Sequence, residues 1–295
     1  MASWRFDAIG TRWEVETAAE LSAGDRDAVA AEIERFDREW SRFRADSDVT
    51  RLGREGGSFA SPDARVMLDA YRDLSAATDG AVNPLVADSL AALGYDADYS
   101  LVAGEPVRAP AAWAERVSWT ERAVAASAPS VLDVGALGKG RLVDLIMTVL
   151  AETPGDLVVD AGGDLRVRGA AVRVGLEHPY DPTKAIGIVS VQDGALCASA
   201  VNRRAWGNGL HHVLDARTGV PVRTWAATWA LAPEAMRADA VATALFFDGG
   251  PALAESWGVE WVRMTTDGRV QRSPGCMAEL FVAEAGRGAR PDVQN

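Results

Sequence analysis

The stretch VLDVGALGKGRLVDLIMTVLA, residues 131–151, reads as an extended run that turns through Gly135, Gly138 and Gly140 into a helix. Leu142, Leu145, Ile146, Val149 and Leu150 recur at helical spacing, which predicts a helix from Lys139 to about Ala151 with one buried face. A strand that enters a helix through glycines aims backbone N–H groups and the positive helix end at one point, where an anion can sit. The turn is not a Walker A loop, because the first glycine is misplaced and Gly140 stands where Ser or Thr would hold magnesium; nor is it GxGxxG. Spacing alone leaves two readings open, phosphate binding and a tight turn needed only for packing.

Downstream, short strands are expected at 156–160, 164–168, 171–176, 185–191 and 195–199, separated by Gly-Gly, Gly-Ala and Asp-Gly turns. Strands this close in sequence favour antiparallel pairing. Another strand over 226–232 leads through Pro233 into a helix over about 234–247, and two hairpin strands flank Asp267-Gly268. Upstream, Trp4 to Thr17 alternates as one strand bent at Gly10, and Val29, Ile33, Phe36, Trp40 and Phe43 predict an amphipathic helix over about 25–41. Ser61-Pro62 starts a further helix that buries Met67, Ala70, Tyr71, Leu74 and Ala77 and ends at Asp79-Gly80; residues 94–110 read as an irregular excursion. The fold class expected is α+β, a single interlocked unit over 1–283 with a mostly antiparallel sheet flanked by helices, followed by a mobile polar tail over 284–295.

With 295 residues, 48% apolar and 24% charged, the chain has a globular composition and can bury a core without disulfides or metals. Its net charge of −12 repels nucleic-acid backbones and anionic membranes, so the expected partner is a small molecule or a protein. No run of 18 apolar residues and no basic-then-apolar N-terminal segment occurs, which predicts a protein without membrane insertion, working in the cytoplasm. Cys197 and Cys276 stand far apart and form neither a CxxC zinc site nor a disulfide framework. Among the basic residues only Lys139 and Lys184 are lysines.

Asp239 and Thr243 stand four apart in a helical segment, so a carboxylate and a hydroxyl share one face and could reach one hard cation, with backbone carbonyls, water or a phosphate completing the shell. His211 and His212 precede the turn residues Asp215, Arg217, Thr218 and Gly219, and offer a general base at neutral pH. The alternative is a strand ending in a capped turn. Asn83-Pro84 and Gly162-Gly163-Asp164 read as turns that carry no chemistry unaided.

Taken in order, eight segments (IGTRWEV, SRFRADSDVTRLG, TDGAVNP, LDVGALGKG, DAGGDLRVRG, VGLEHPYDP, LHHVLDARTG and ADAVATAL) resemble the ApbE family, the FAD:protein FMN transferases, from about Ile9 to Gly249. The resemblance implies a transferase that cleaves the pyrophosphate of FAD with bound Mg2+, joins FMN by a phosphoester bond to a Thr or Ser of an acceptor flavoprotein, and releases AMP. It implies that Asp133 and Lys139 line the flavin nucleotide site and that the Ala136 carbonyl joins Asp239 and Thr243 around magnesium. His212 takes the place of the family base. Ile9, Phe43, the stretch Ala81, Val82 and Asn83, and Val213 take the places of flavin contacts. By the resemblance, Asn83 replaces a common aspartate, Val82 an aromatic and Ala216 the usual proline, and Ala242 stands where some relatives have a second aspartate. The competing readings are an FAD pyrophosphatase that uses water as acceptor, a flavin carrier without turnover, and a metal-independent interaction protein.

Overall fold

The computed structural model describes residues 1–207 and 209–281, so the tail expected over 284–295 lies outside the described residues. Its centre is an eight-stranded sheet in the order Ala2–Ala8, Thr11–Thr17, Leu157–Asp160, Asp164–Arg168, Gly194–Ala200, Trp225–Ala232, Glu260–Thr265 and Val270–Arg272. Every neighbouring pair is antiparallel, as the short turns predict. Alternation sends successive side chains of Trp225–Ala232 to opposite faces. Ala230 and Ala232 join the helical core on one side, while Ala227 and Trp229 join a second core beneath a three-stranded sheet. That smaller sheet is built from Val172–His178, Asp181–Val191 and Glu279–Leu280.

The helix Ala23–Trp40 buries Val29, Ile33, Phe36 and Trp40, and Ser22 with Asp25 closes a capping box at its start. Phe43, read as the end of that apolar series, lies beyond the helix and is half-buried. Three other expectations need correction. The opening segment is a hairpin, with Ala8 opposite Thr11 across a two-residue turn. Ile9 at φ 42° and Gly10 at φ 72° both take the left-handed conformation such a turn requires, a strain that strand propensity does not foresee in Ile9. The run before the glycine-rich turn belongs to no sheet; the Asp133 N–H donates to the Pro84 carbonyl at 2.8 Å, so a loop satisfies its backbone. The third helix begins at Ala64, because the Ser61 hydroxyl accepts from the Trp40 indole N–H at 3.1 Å and from the Asp63 N–H at 3.2 Å. Helices Asp48–Glu55, Ala87–Ala92 and Gly250–Ser256 are too short for periodicity to announce.

The helix Gly138–Val149 crosses the helix Ala235–Ala244 at Gly140. A Cβ on Gly140 would stand 2.3 Å from the Ala235 carbonyl oxygen and 2.7 Å from Cβ of Asp239, so only glycine lets the two backbones meet. The Gly140 N–H donates to Oδ2 of Asp239 at 2.9 Å. One turn further, the buried Asp144 carboxylate accepts the Ala235 and Met236 N–H groups, both at 2.9 Å, and so caps the second helix from the first. Gly140→Ala is expected to destabilise the fold by about 2–3 kcal/mol through overpacking against backbone. Urea denaturation of the variant beside the natural chain measures it.

Candidate active site

The helix crossing opens onto a cavity of about 400 Å3, a volume suited to a small organic ligand. Phe43, Ala81, Val82, Asn83, Asp133, Ala136, Lys139, His212, Val213, Asp239 and Thr243 all line it. Ile9 does not; it lies on an adjoining groove of about 370 Å3 that shares Phe43, Asp133, Lys139 and Arg204 with the cavity. Residues read from five separate segments thus meet at one cavity.

Three oxygens cluster at the helix crossing. The Thr243 hydroxyl donates to the Ala136 carbonyl at 3.2 Å, and Asp239 stands one turn before Thr243 on the same helix. Asp239 is buried, and its Oδ1 makes no hydrogen bond with the described residues. Burial raises its pKa, against the pull of the Lys139 ammonium. A carboxylate, a hydroxyl and a carbonyl are hard donors suited to magnesium, but protein side chains alone do not complete a shell. No group of three or more His, Cys, Asp or Glu able to hold a metal occurs among the described residues.

The turn that carries Ala136 is stitched from outside by two residues whose role sequence reading misses. The Tyr71 hydroxyl donates to the Asp133 carbonyl at 2.9 Å and accepts the Ala136 N–H at 3.3 Å. Arg42 donates from Nε to Oδ2 of Asp133 at 2.5 Å and from Nη1 to the Tyr95 carbonyl at 2.9 Å, while its guanidinium lies over the Phe43 ring at 4.1 Å. Oδ1 of Asp133 accepts the Gly135 N–H at 2.7 Å. Both carboxylate oxygens of Asp133 are therefore engaged in shaping the turn. Asn83 is equally committed: its Nδ2 donates to the Pro110 carbonyl and its Oδ1 accepts the Leu85 N–H, both at 2.9 Å. Neither Tyr71 nor Arg42 stands out in the sequence, because a buried helix residue and one arginine among many carry no motif.

Ala216 stands where the resemblance expects a proline. Its N–H donates to the Ala81 carbonyl at 3.0 Å, tying the Asp215–Gly219 turn to the 81–83 stretch with a bond that proline could not make.

His211 and His212 face opposite ways, as alternation predicts. Nδ1 of His211 accepts the Val213 N–H at 3.3 Å, so its Nε2 carries the proton and donates to the Val222 carbonyl at 2.8 Å. His212 faces the cavity, and although the residue is half-buried, its Nδ1 is fully enclosed and has no partner. Enclosure, with the positive charges of Arg204 and Lys139 nearby, pulls its pKa down to about 3. His212 is therefore neutral at pH 7.

The family model for the ApbE family matches residues 9–262. The chain belongs to the ApbE family. Among curated ApbE relatives, it is 32% identical to the FAD:protein FMN transferase of Rhodobacter capsulatus over 95% of this chain and 58% of that protein. It is 33% identical to the FAD:protein FMN transferase of Treponema pallidum (strain Nichols) over 54% of this chain and 51% of that one. The chain thus spans little more than half the length of these relatives. Its fold matches the ApbE protein of Thermotoga maritima with a TM-score of 0.79 at 22% identity, over 92% of this chain and 97% of the other. The flavin transferase ApbE of Vibrio cholerae gives a TM-score of 0.75 at 20% identity, with the same coverage of each chain.

The enclosure of His212 has a consequence for stability. Between the ordinary histidine value of 6.5 and about 3, the unfolded chain binds a proton that the native imidazole refuses, so native stability falls as pH drops through that window. His212→Gln removes this contribution, and its stability is expected to depend less steeply on pH from 6.5 downwards. Chemical denaturation of both proteins at pH 7, 6, 5 and 4 gives the comparison.

Proposed function

We propose that this chain is an FAD:protein FMN transferase that uses magnesium and releases AMP, with a Thr or Ser hydroxyl of a cytoplasmic protein as acceptor. One observation carries the reading: His212, Lys139, Ala136, Asp239 and Thr243 line one cavity beside a glycine-rich turn. The names of the ApbE relatives support it.

In this reading the acceptor hydroxyl oxygen forms a bond to the FMN-side phosphorus of FAD, the bond from that phosphorus to the bridging oxygen breaks, and AMP leaves with that oxygen. Neutral His212 takes the hydroxyl proton. The substrate diphosphate offsets the positive field of Arg204 and Lys139, which raises the histidine pKa when the proton must be accepted. Lys139 holds the phosphates, the N–H groups of Gly135, Ala136 and Gly140 being taken by Asp133, Tyr71 and Asp239, while Phe43, Val82 and Ile9 offer apolar surface to the rings. Asp239, Thr243 and the Ala136 carbonyl fit magnesium, which when bound neutralises the charge that develops on the phosphate oxygens.

Incubation with FAD, magnesium and candidate acceptor proteins, followed by intact-mass spectrometry, tests the reading; AMP and free FMN without a flavinylated acceptor would make the chain a pyrophosphatase instead. His212→Ala should lower FMN transfer about 10²–10⁴-fold and leave FAD affinity near that of the natural chain, with His211→Ala the milder variant. At limiting magnesium, Asp239→Asn should cost more activity than Thr243→Ala, because the carboxylate supplies charge as well as an oxygen.

A further inference from the structure

The sequence reads Asp164 at the join between the Gly162-Gly163 turn and the strand expected over 164–168. Asp164 opens the strand Asp164–Arg168 and is wholly buried. Its Oδ2 binds the Lys139 ammonium, and its Oδ1 has no hydrogen-bond partner. A buried carboxylate with one unsatisfied oxygen is expensive, and replacing a buried ion pair with apolar groups is usually neutral or stabilising, so stability does not account for Asp164. The strand is the fourth of the central sheet, a rigid element, whereas Lys139 reaches from the first turn of a helix on a flexible four-carbon stem. An ammonium has three hydrogens. One goes to Asp164, and no second acceptor lies within hydrogen-bonding distance among the described residues. The remaining two are available to the cavity that Lys139 lines with Asp239 and His212.

We propose that Asp164 is a positioning residue: it clamps Lys139 from behind so that the ammonium meets the phosphate oxygens where charge develops in the transition state. The proposal rests on the transferase reading above. It differs in sign from simple neutralisation. Removing the Asp164 charge leaves the cavity one unit more positive, which by itself favours anions, so a clamp shows itself as a loss in turnover without a loss in anion affinity.

The test uses the full chain and four variants, Asp164→Asn, Lys139→Gln, the double variant and Lys139→Arg. Turnover is read as AMP release from FAD, which transfer and hydrolysis both give, and flavinylated acceptor is followed in parallel. Affinity for ADP without added metal is read by calorimetry. Asp164→Asn is expected to lose about 10- to 100-fold in kcat, the usual range for a residue that orients a functional group, while binding ADP at least as tightly as the natural chain. In the Lys139→Gln background the same substitution should cost nothing further, because it acts through the lysine. Lys139→Arg, which keeps the charge but moves it, should fall as Asp164→Asn does, and keeps the idea testable if Asp164→Asn does not fold. Full turnover in Asp164→Asn or Lys139→Arg overturns the proposal, as does an equal loss in the Lys139→Gln background or a parallel fall in ADP affinity and melting temperature. A natural chain that releases AMP but labels no acceptor refutes only the transfer step; one that releases no AMP refutes the clamp as well.

Discussion

The close approach of two helix backbones at Gly140 is the constraint on which the rest of the site depends. Because no side chain intervenes, the Gly140 N–H can reach Asp239, and Asp144 can cap the partner helix at Ala235 and Met236. The alanines of Ala235–Ala244 serve the same end: Ala235, Ala238, Ala240, Ala242 and Ala244 are all buried without bulk that would push the helix away. The oxygens of Asp239, Thr243 and Ala136 are consequently brought together by backbone packing, which does not fluctuate as long side chains do.

Charge is handled in the same way. In a chain of net charge −12, the cavity region gathers Arg42, Lys139 and Arg204, and two of these hold aspartates. Arg42 with Asp133 shapes the turn, and Lys139 meets Asp164 at the sheet. Such pairs contribute little net stability once desolvation is counted. They hold geometry in a region whose positive charge suits an anion. His212 is left as the neutral group among these positive charges, its Nδ1 without a partner.

The cavity wall away from the helix crossing is built from loops anchored at single points. Asn83 holds Pro110, Ala216 holds Ala81, and Arg42 holds Tyr95, so the irregular excursion after Gly94 is tied back to the cavity wall at several backbone atoms. These anchors use the Asn83 side chain and the Ala216 N–H, a donor that proline would lack.

Period-two alternation and glycine turns made the central sheet readable, since both are local consequences of how side chains alternate and where φ turns positive. Helical spacing did the same for Ala23–Trp40, Ala64–Ala77 and Gly138–Val149. The pairing of Asp239 with Thr243 and the opposed faces of His211 and His212 were legible for the same reason. What sequence order could not show was which segments meet. That Val172–Val191 leaves the central sheet to cover its far face depends on competition between strands for partners, and the reversal at Ile9 depends on a strain that propensity opposes. Arg42, Tyr71 and Asp164 act on the site from 91, 65 and 25 residues away along the chain. Local pattern determined the elements and the chemistry they carry; only the tertiary structure, through one glycine-sized gap and a few long-range hydrogen bonds, decided that these groups share a cavity.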